Sequence, residues 1–476
     1  EPLYKRSLTL REKALGPDHP DVGTSLNNLG LLYQNQGRYA EAEPLMKRSL
    51  ALREKALGPD HPDVGASLSN LGSFLKSEGR IEEAEPLLKR ALEARQKSFG
   101  PDHRQVVGAM IDLAELYGLQ GKTEAAERLF AQAGAARSVD LKEFPIYFGT
   151  NRKRDASQKR VAFGNERDLN ELTMGLINVV VPAPAASTAR ASQQAGLTAV
   201  SNVRTLALHP AQLADEDQVV RAARERLLGA RTYLGQALVF VHGYNVSFDN
   251  AIRRAAQLAY DLGFDGPVFV FSWPSREKLL SYVGDRESSQ LSAEAIQEFL
   301  ATVVAETKAS RIHTIAHSMG NVALNEALQT MDTAMLAKFN FGEMIHASPD
   351  LDPDLFQRTY GRLRKRGARS TIYAASSDKA LGLSSWLRDR PQLGYIPSGG
   401  PQRLPTGAEL IDITTVNSDV FSLNHDLYAN SPAIIGDLKR LLLSSQRPPE
   451  KRTGDLEKVQ AKAGVYWRYR DPGKKR

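Results

Sequence analysis

The sequence predicts two architectures in series: an all-α solenoid of helical hairpins, then an α/β domain with a mostly parallel sheet flanked by helices. Three observations carry this. The first 137 residues repeat themselves at a fixed offset of 42 residues. After an Ala-rich seam at Gly134–Arg137 the periodicity changes, and short β-rich runs alternate with helix-length amphipathic stretches. Apolar residues make up 42% and charged residues 25% of 476, an ordinary globular balance that excludes wholesale disorder.

The repeat is visible without alignment: EPLYKRSLTLREKALGPDHPDV from Glu1, EPLMKRSLALREKALGPDHPDV from Glu43 and EPLLKRALEARQKSFGPDHRQV from Glu85, with a degraded copy from Glu127. Leu26, Leu29, Leu32 and Tyr33 form an apolar stripe at helical spacing, punctuated by Gly37. Tyr39, Ala42, Leu45, Met46, Leu50 and Leu57 form a second stripe, stopped by Gly58-Pro59. Small Gly30 and Ala42 let the paired helices approach closely. His19, His61 and His103 recur at the repeat period, which points to a D-H-P loop ordering each turn and not to a metal or proton site. The first unit starts inside its second helix without an initiator Met, so the chain reads as a fragment or processed form of a longer array. The compartment, cytoplasm or periplasm, stays open.

Leu29-Gly30-x-x-Tyr33 followed by Ala42 resembles the tetratricopeptide repeat, and the 42-residue period with its GPDHPDV loop resembles the longer variant of kinesin light chains. Ala114 stands where the third unit would have Gly. Over residues 1–137 the resemblance implies a concave surface for a protein or peptide partner.

In the second part, strands are expected at Leu176–Val181, Ala237–Val241, Val268–Phe271, Ile312–Ile315, Glu343–His346, Thr371–Ala374 and Leu410–Val416. Helices are expected at Phe248–Leu262, Leu291–Lys308, Asn321–Met331 and Pro353–Arg366. The domain spans 138–446 with an irregular, low-complexity insertion near 182–200. Six of the seven net positive charges fall in 447–476, where ten Lys/Arg meet four Asp/Glu. A solvated, mobile basic tail is therefore expected, and no nucleic-acid face. The chain has no Cys, which removes disulfides, thiolate metal sites and cysteine nucleophiles, and no apolar run long enough to span a bilayer.

The chemistry gathers at strand ends. In IHTIAHSMGN, Ser318 follows an apolar strand and precedes a helix, which resembles the nucleophile elbow G-x-S-x-G of α/β-hydrolases with Ala316 for the first Gly and Gly320 as the second. The α/β-hydrolase fold so implied places an oxyanion loop at His242-Gly243. The backbone N–H groups of Tyr244 and Met319 are then the oxyanion donors, and the His242 side chain is structural. Triad order in that fold is Ser, acid, His. His425, after the last strand, is thereby the base. Asp378, ending TIYAASSD, is preferred as the acid, with Asp350 in HASPDLDPD the alternative; Asp412, inside a strand, is read as structural. Trp273 and Tyr282 are candidates for an acyl pocket.

The motifs IYFGTNR, VFVHGYNVSFDNAIRRAAQL, VFVFSWPS with Tyr282 and Asp285 downstream, IAHSMGN, ASPDLDPDLF and YAASSDKAL together resemble a bacterial α/β-hydrolase family, DUF900, described as esterase/lipase-like, over residues 144–444. The resemblance implies a serine hydrolase of esters, small-molecule or lipid, needing no metal or organic cofactor. Two alternatives stay open: an interaction scaffold whose hydrolase domain is catalytically silent, and a hydrolase effector regulated by a partner on the repeats.

Overall fold

A computed structural model describes residues 1–35, 38–135, 139–155, 161–168, 172–184, 207–208, 212–276, 282–376, 381, 384–385, 392–397, 400–416 and 431–470. The chain divides into two compact units, one built on Glu1–Glu143, the other on Phe144–Ala156, Val161–Val179 and Ala211–Arg476.

The first unit is a stack of helices: α1 (Pro2–Leu15), α2 (Pro20–Asn35), α3 (Tyr39–Leu57), α4 (Pro62–Ser77), α5 (Ile81–Phe99), α6 (Arg104–Leu119) and α7 (Thr123–Ala135). Each GPDH segment works as a joint. Gly16, Gly58 and Gly100 take φ of +88°, +84° and +79° and end the preceding helix. The histidine then caps the next helix: Nδ1 of His19, His61 and His103 accepts the N–H two residues on, at 3.2, 3.1 and 3.3 Å. The D-H-P reading is thus correct, with a definite task for the imidazole. Close approach explains the small residues. A Cβ on Gly30 would sit 2.9 Å from Met46 Cγ, and one on Gly72 2.8 Å from Leu88 Cδ2. Between units, ion pairs recur at the same period, Arg38–Glu1, Arg80–Glu43 and Lys122–Glu85 at 2.7, 2.8 and 3.2 Å.

From Val139 onward the chain is wound on a twelve-stranded sheet. Its elements are β1 (Val139–Thr150), β2 (Arg152–Arg154), β3 (Phe163–Arg167), β4 (Thr173–Pro184), β5 (Ala207–Leu208), β6 (Gln212–Leu213), α8 (Glu216–Gly229), β7 (Gln236–Val241), α9 (Phe248–Leu262), β8 (Val268–Ser272), α10 (Tyr282–Leu291), α11 (Ala293–Glu298), β9 (Arg311–His317), α12 (Gly320–Thr330), α13 (Thr333–Ala337), β10 (Phe341–Ala347), α14 (Pro353–Arg364), β11 (Arg369–Ala374), β12 (Glu409–Asp412), α15 (Pro432–Ser444), β13 (Leu456–Ala461) and β14 (Gly464–Tyr469). The order is β13-β14-β12-β11-β10-β9-β7-β8-β1-β4, with β5 and β6 on β4 and a separate β2–β3 hairpin. From β12 to β1 every pairing is parallel.

The central strands are buried along nearly their whole length, as parallel strands covered on both faces must be. Ala237, Val239 and Val241 pack with side chains of α8, α11, α12 and α14, while Leu238 and Phe240 point the other way and are equally buried. The expected continuous helix Leu291–Lys308 is broken into α11, a π turn at Phe299–Val304 and a 3₁₀ turn at Ala305–Thr307. The π turn keeps Phe299, Leu300, Val303 and Val304 all buried.

The expected basic tail is corrected through Tyr469. Residues 456–469 form the β13–β14 hairpin, which joins the sheet beside β12 through Ile411↔Trp467 and Asp412↔Arg468. Leu456, Tyr466 and Tyr469 are buried. Arg452, with a fully buried side chain, binds Asp437 and Glu409, each at 2.8 Å. The charge count hid the apolar residues interleaved among the Lys and Arg. Asp412 is structural as expected, accepting Thr414 N–H and Arg468 Nε at 3.0 and 2.9 Å. The insertion near 182–200 lies outside the described residues from 185 onward.

Candidate active site

The strand–turn–helix expected around Ser318 is present: β9 ends at His317, α12 starts at Gly320, and Ser318 sits in the turn with φ of +46°, a left-handed conformation that costs a non-glycine residue about 1–3 kcal/mol. Its N–H donates to Ala347 O at 2.9 Å, anchoring the turn to the neighbouring strand. Gly320 is required by proximity: a Cβ there would lie 2.3 Å from His242 O and 2.7 Å from Val241 O. Across the turn, a Cβ on Gly243 would stand 3.0 Å from Ser318 Cβ and 2.7 Å from His317 Nδ1. The backbone of the His242–Asn245 loop therefore lies directly against the serine. Parallel pairing of β7 and β9, with Val241 opposite Ala316, puts the two strand ends side by side.

That loop is pinned from below by side chains. Trp273 Nε1 donates to His242 O at 2.8 Å, and its indole stacks on the imidazole at 5.0 Å. His242 Nδ1 lies 2.8 Å from Gly243 O and Nε2 3.2 Å from Ser272 Oγ. Burial, reinforced by nearby Arg152, drives the His242 pKa down to about 3, so the ring is neutral and acts as a brace. Buried Arg152 donates to Ser272 Oγ at 2.9 Å and to Val246 O at 2.7 Å. Asp285 accepts from Ser275 Oγ at 2.7 Å, and Ser275 Oγ accepts the Asn245 N–H at 2.8 Å. Desolvation raises the Asp285 pKa, opposed by Ser275 and the Arg276 N–H. Tyr244, half-buried, has its phenol pushed up to about 12 by burial and by Asp285.

Trp273 is fully buried and braces the loop from within the core, so it offers no face to an open acyl pocket. Tyr282 is half-buried, its ring edge-on to Tyr244 at 5.8 Å. Its hydroxyl donates to Asp350, which also accepts Ser384 Oγ at 2.8 Å and lies 3.8 Å from Arg286 Nη1. The Asp350 N–H donates to Ser318 O at 3.3 Å, so the backbone of this residue lies beside the serine turn while its carboxylate is engaged by Tyr282 and Ser384. Met319 is buried at the head of α12. Asp378 and His425 lie outside the described residues. Ser275, Asp285, Arg152 and Asn321 contribute to the site without having been assigned roles from sequence; all four sit in motifs already quoted, and only their partners were illegible.

A parallel sheet with a strained serine between strand and helix defines an α/β-hydrolase domain, here in the same chain as a tetratricopeptide array. Residues 220–445 match the family "Alpha/beta hydrolase of unknown function (DUF900)", and residues 1–21, 22–63 and 63–137 match tetratricopeptide repeat families. The chain thus combines tetratricopeptide repeats over residues 1–137 with a DUF900 α/β-hydrolase domain over residues 220–445. Among solved structures it is similar to BtubC (BKLC) from P. vanneervenii, at 25% identity over 28% of this chain and 53% of that one, TM-score 0.27. It is also similar to a Podosopora anserina putative kinesin light chain with nearly identical TPR-like repeats, at 27% identity over 28% and 64%, TM-score 0.25. AbyA5 wild type matches at 12% identity over 83% and 86%, TM-score 0.28. The chain thus spans 53% and 64% of the lengths of the first two. No curated protein matches it. No helix among the described residues is long and apolar enough to cross a membrane.

Proposed function

We propose that the chain is a carboxylic-ester hydrolase in which Ser318 is the nucleophile and the tetratricopeptide array binds a protein or peptide partner on its concave face. The observation that carries the reading is Ser318 itself, held at φ +46° between strand and helix with the Gly243 backbone packed on it. In this mechanism His425 takes the Ser318 proton as the hydroxyl attacks an acyl carbonyl, and Asp378 orients the imidazole, with Asp350 the alternative. The N–H groups of Tyr244 and Met319 hold the oxyanion, each donor contributing about 3 kcal/mol in the transition state. Water then hydrolyses the acyl-enzyme, with no metal or organic cofactor involved. Tyr282, beside Tyr244, forms one wall of the acyl site for a small-molecule or lipid ester.

The test is labelling of the full chain by a fluorophosphonate, together with hydrolysis of p-nitrophenyl esters of graded acyl length. Wild type is expected to label and to turn over, and Ser318→Ala to do neither. Well-folded wild-type protein that takes no label would leave the array as the working part and the hydrolase domain as a silent platform.

A further inference from the structure

We propose that Asn321, held in place by His346, is the positioning residue that keeps Ser318 in its left-handed conformation. A strained residue persists only where its surroundings over-determine it. The described neighbours of the turn show what does so here. Asn321, buried in the first turn of α12, spends both hydrogens of its side-chain amide on backbone carbonyls flanking the turn: Nδ2 donates to Ala316 O at 2.9 Å and to Ser318 O at 3.1 Å. Its backbone N–H also donates to Ser318 O at 3.1 Å. One side chain thereby clamps both sides of the peptide units that carry the serine.

The clamp has its own support. With both amide hydrogens committed, Asn321 presents Oδ1 to His346 Nδ1 at 2.8 Å, so the imidazole must donate from Nδ1. Strand register brings the ring there, since His346 on β10 pairs with Ala316 on β9. The ring is buried edge-on against Phe356 at 5.0 Å and borders a small cavity whose lining mixes Leu324, Met344, Phe356 and Leu363 with Asn325, Thr359 and Tyr360. Its Nε2 has no hydrogen-bond partner among the described residues. Burial holds the ring neutral, with the pKa driven down to about 3. A neutral ring with its proton on Nδ1 is a fixed donor across the pH range of ester hydrolysis. The relay His346→Asn321→Ala316/Ser318 is therefore a rigid truss behind the serine, on the side opposite the Gly243 loop's bracing by Trp273, Arg152 and Asp285.

The catalytic consequence rests on Ser318 being the nucleophile; the geometric claim does not. The experiment compares wild type, Asn321→Ala, His346→Phe and His346→Gln by fluorophosphonate inactivation kinetics and by crystal structures, with thermal melts to establish folding. Asn321→Ala is expected to slow inactivation roughly 10- to 100-fold, since small misplacements of a reacting group cost that much. The loss should lie in the limiting rate kinact and not in the half-saturating concentration, with Ser318 φ leaving the left-handed region. His346→Phe should slow it about tenfold, and His346→Gln, whose amide can donate to Asn321 Oδ1, should recover to within about threefold of wild type. Folded Asn321→Ala and His346→Phe reacting at the wild-type rate, with Ser318 φ unchanged, would overturn the proposal. If Asn321→Ala fails to fold, the His346 pair decides alone: slowing in Phe with rescue in Gln supports the truss, and equal rates refute it. If wild type does not react at all, the hydrolase reading falls separately, and Ser318 φ retained in the variant structures still overturns the positioning claim.

Discussion

Two of the residues that shape the turn have no side chain at all, and the reason is space. Gly320 faces the carbonyls of Val241 and His242 at distances no Cβ tolerates, and the contact is with backbone, which cannot swing aside. Gly320→Ala is therefore expected to push α12 off the end of β7. The cost should be about 1–3 kcal/mol of stability, read from the urea midpoint at unchanged slope, together with loss of fluorophosphonate labelling. On the array, the capping histidines can be tested one at a time. His61 accepts the Asp63 N–H at the head of α4. His61→Ala should lower the stability of the array by about 1 kcal/mol, whereas His61→Asn, a better capping residue, should hold or raise it. Equal melting temperatures for wild type and His61→Ala would show that the cap carries no weight.

At the scale of elements, the C-terminal hairpin depends on a buried charge cluster. Arg452 is shared between Asp437 on α15 and Glu409 on β12, Arg447 binds Glu343 and Glu409, and Tyr373 on β11 donates to Asp437 at 2.6 Å. Removing one member leaves buried carboxylates without their counter-charge, which costs far more than the intact pair contributes. Arg452→Met should lose about 3–5 kcal/mol in chemical denaturation, and it should also detach β13–β14, seen as new hydrogen exchange along β12. A loss below 1 kcal/mol would mean the cluster is solvated in solution. This element also shows where sequence reading fails. The parallel strands at 237–241, 268–271 and 312–315 were legible because strands buried on both faces are unbroken apolar runs. The hairpin was not, because Tyr466, Trp467 and Tyr469 are interleaved with Arg468 and Arg470, and the charge total reads as solvation. Strand β1 was missed likewise, with Lys142, Glu143 and Pro145 interrupting its apolar run. At the site, Ser318 was legible from five contiguous residues. The Asn321–His346 pair was not, since only the register of β9 against β10 brings together residues 25 apart.

For the whole molecule, the two units differ in how they should respond to acid. The array's recurring ion pairs are half-exposed to solvent and individually worth little, so no single one should govern its stability. Among the described residues, the hydrolase unit instead buries His242, His313 and His346 in neutral form. Desolvation drives His242 and His346 to about 3 and His313 to about 4, below the ordinary value of about 6.5. In each case the unfolded chain takes up a proton that the folded chain refuses, so folding is unpenalised above pH 7 and loses stability as pH falls through 6.5 toward 4. At pH 5 each histidine costs roughly 2 kcal/mol, and together they take away a large part of the 5–15 kcal/mol typical of a domain. Asp285 and Asp261, whose carboxyls burial raises, work in the opposite sense and soften the loss only as pH approaches their own range. The urea midpoint of the hydrolase unit should therefore fall steeply between pH 7.5 and pH 5. His346→Gln should be less stable at neutral pH yet show a shallower slope, by about 2 kcal/mol across the interval. Parallel slopes in wild type and variant would show that the His346 imidazole is protonated within the folded protein, and the fixed-donor role assigned to it behind Ser318 would fail with it.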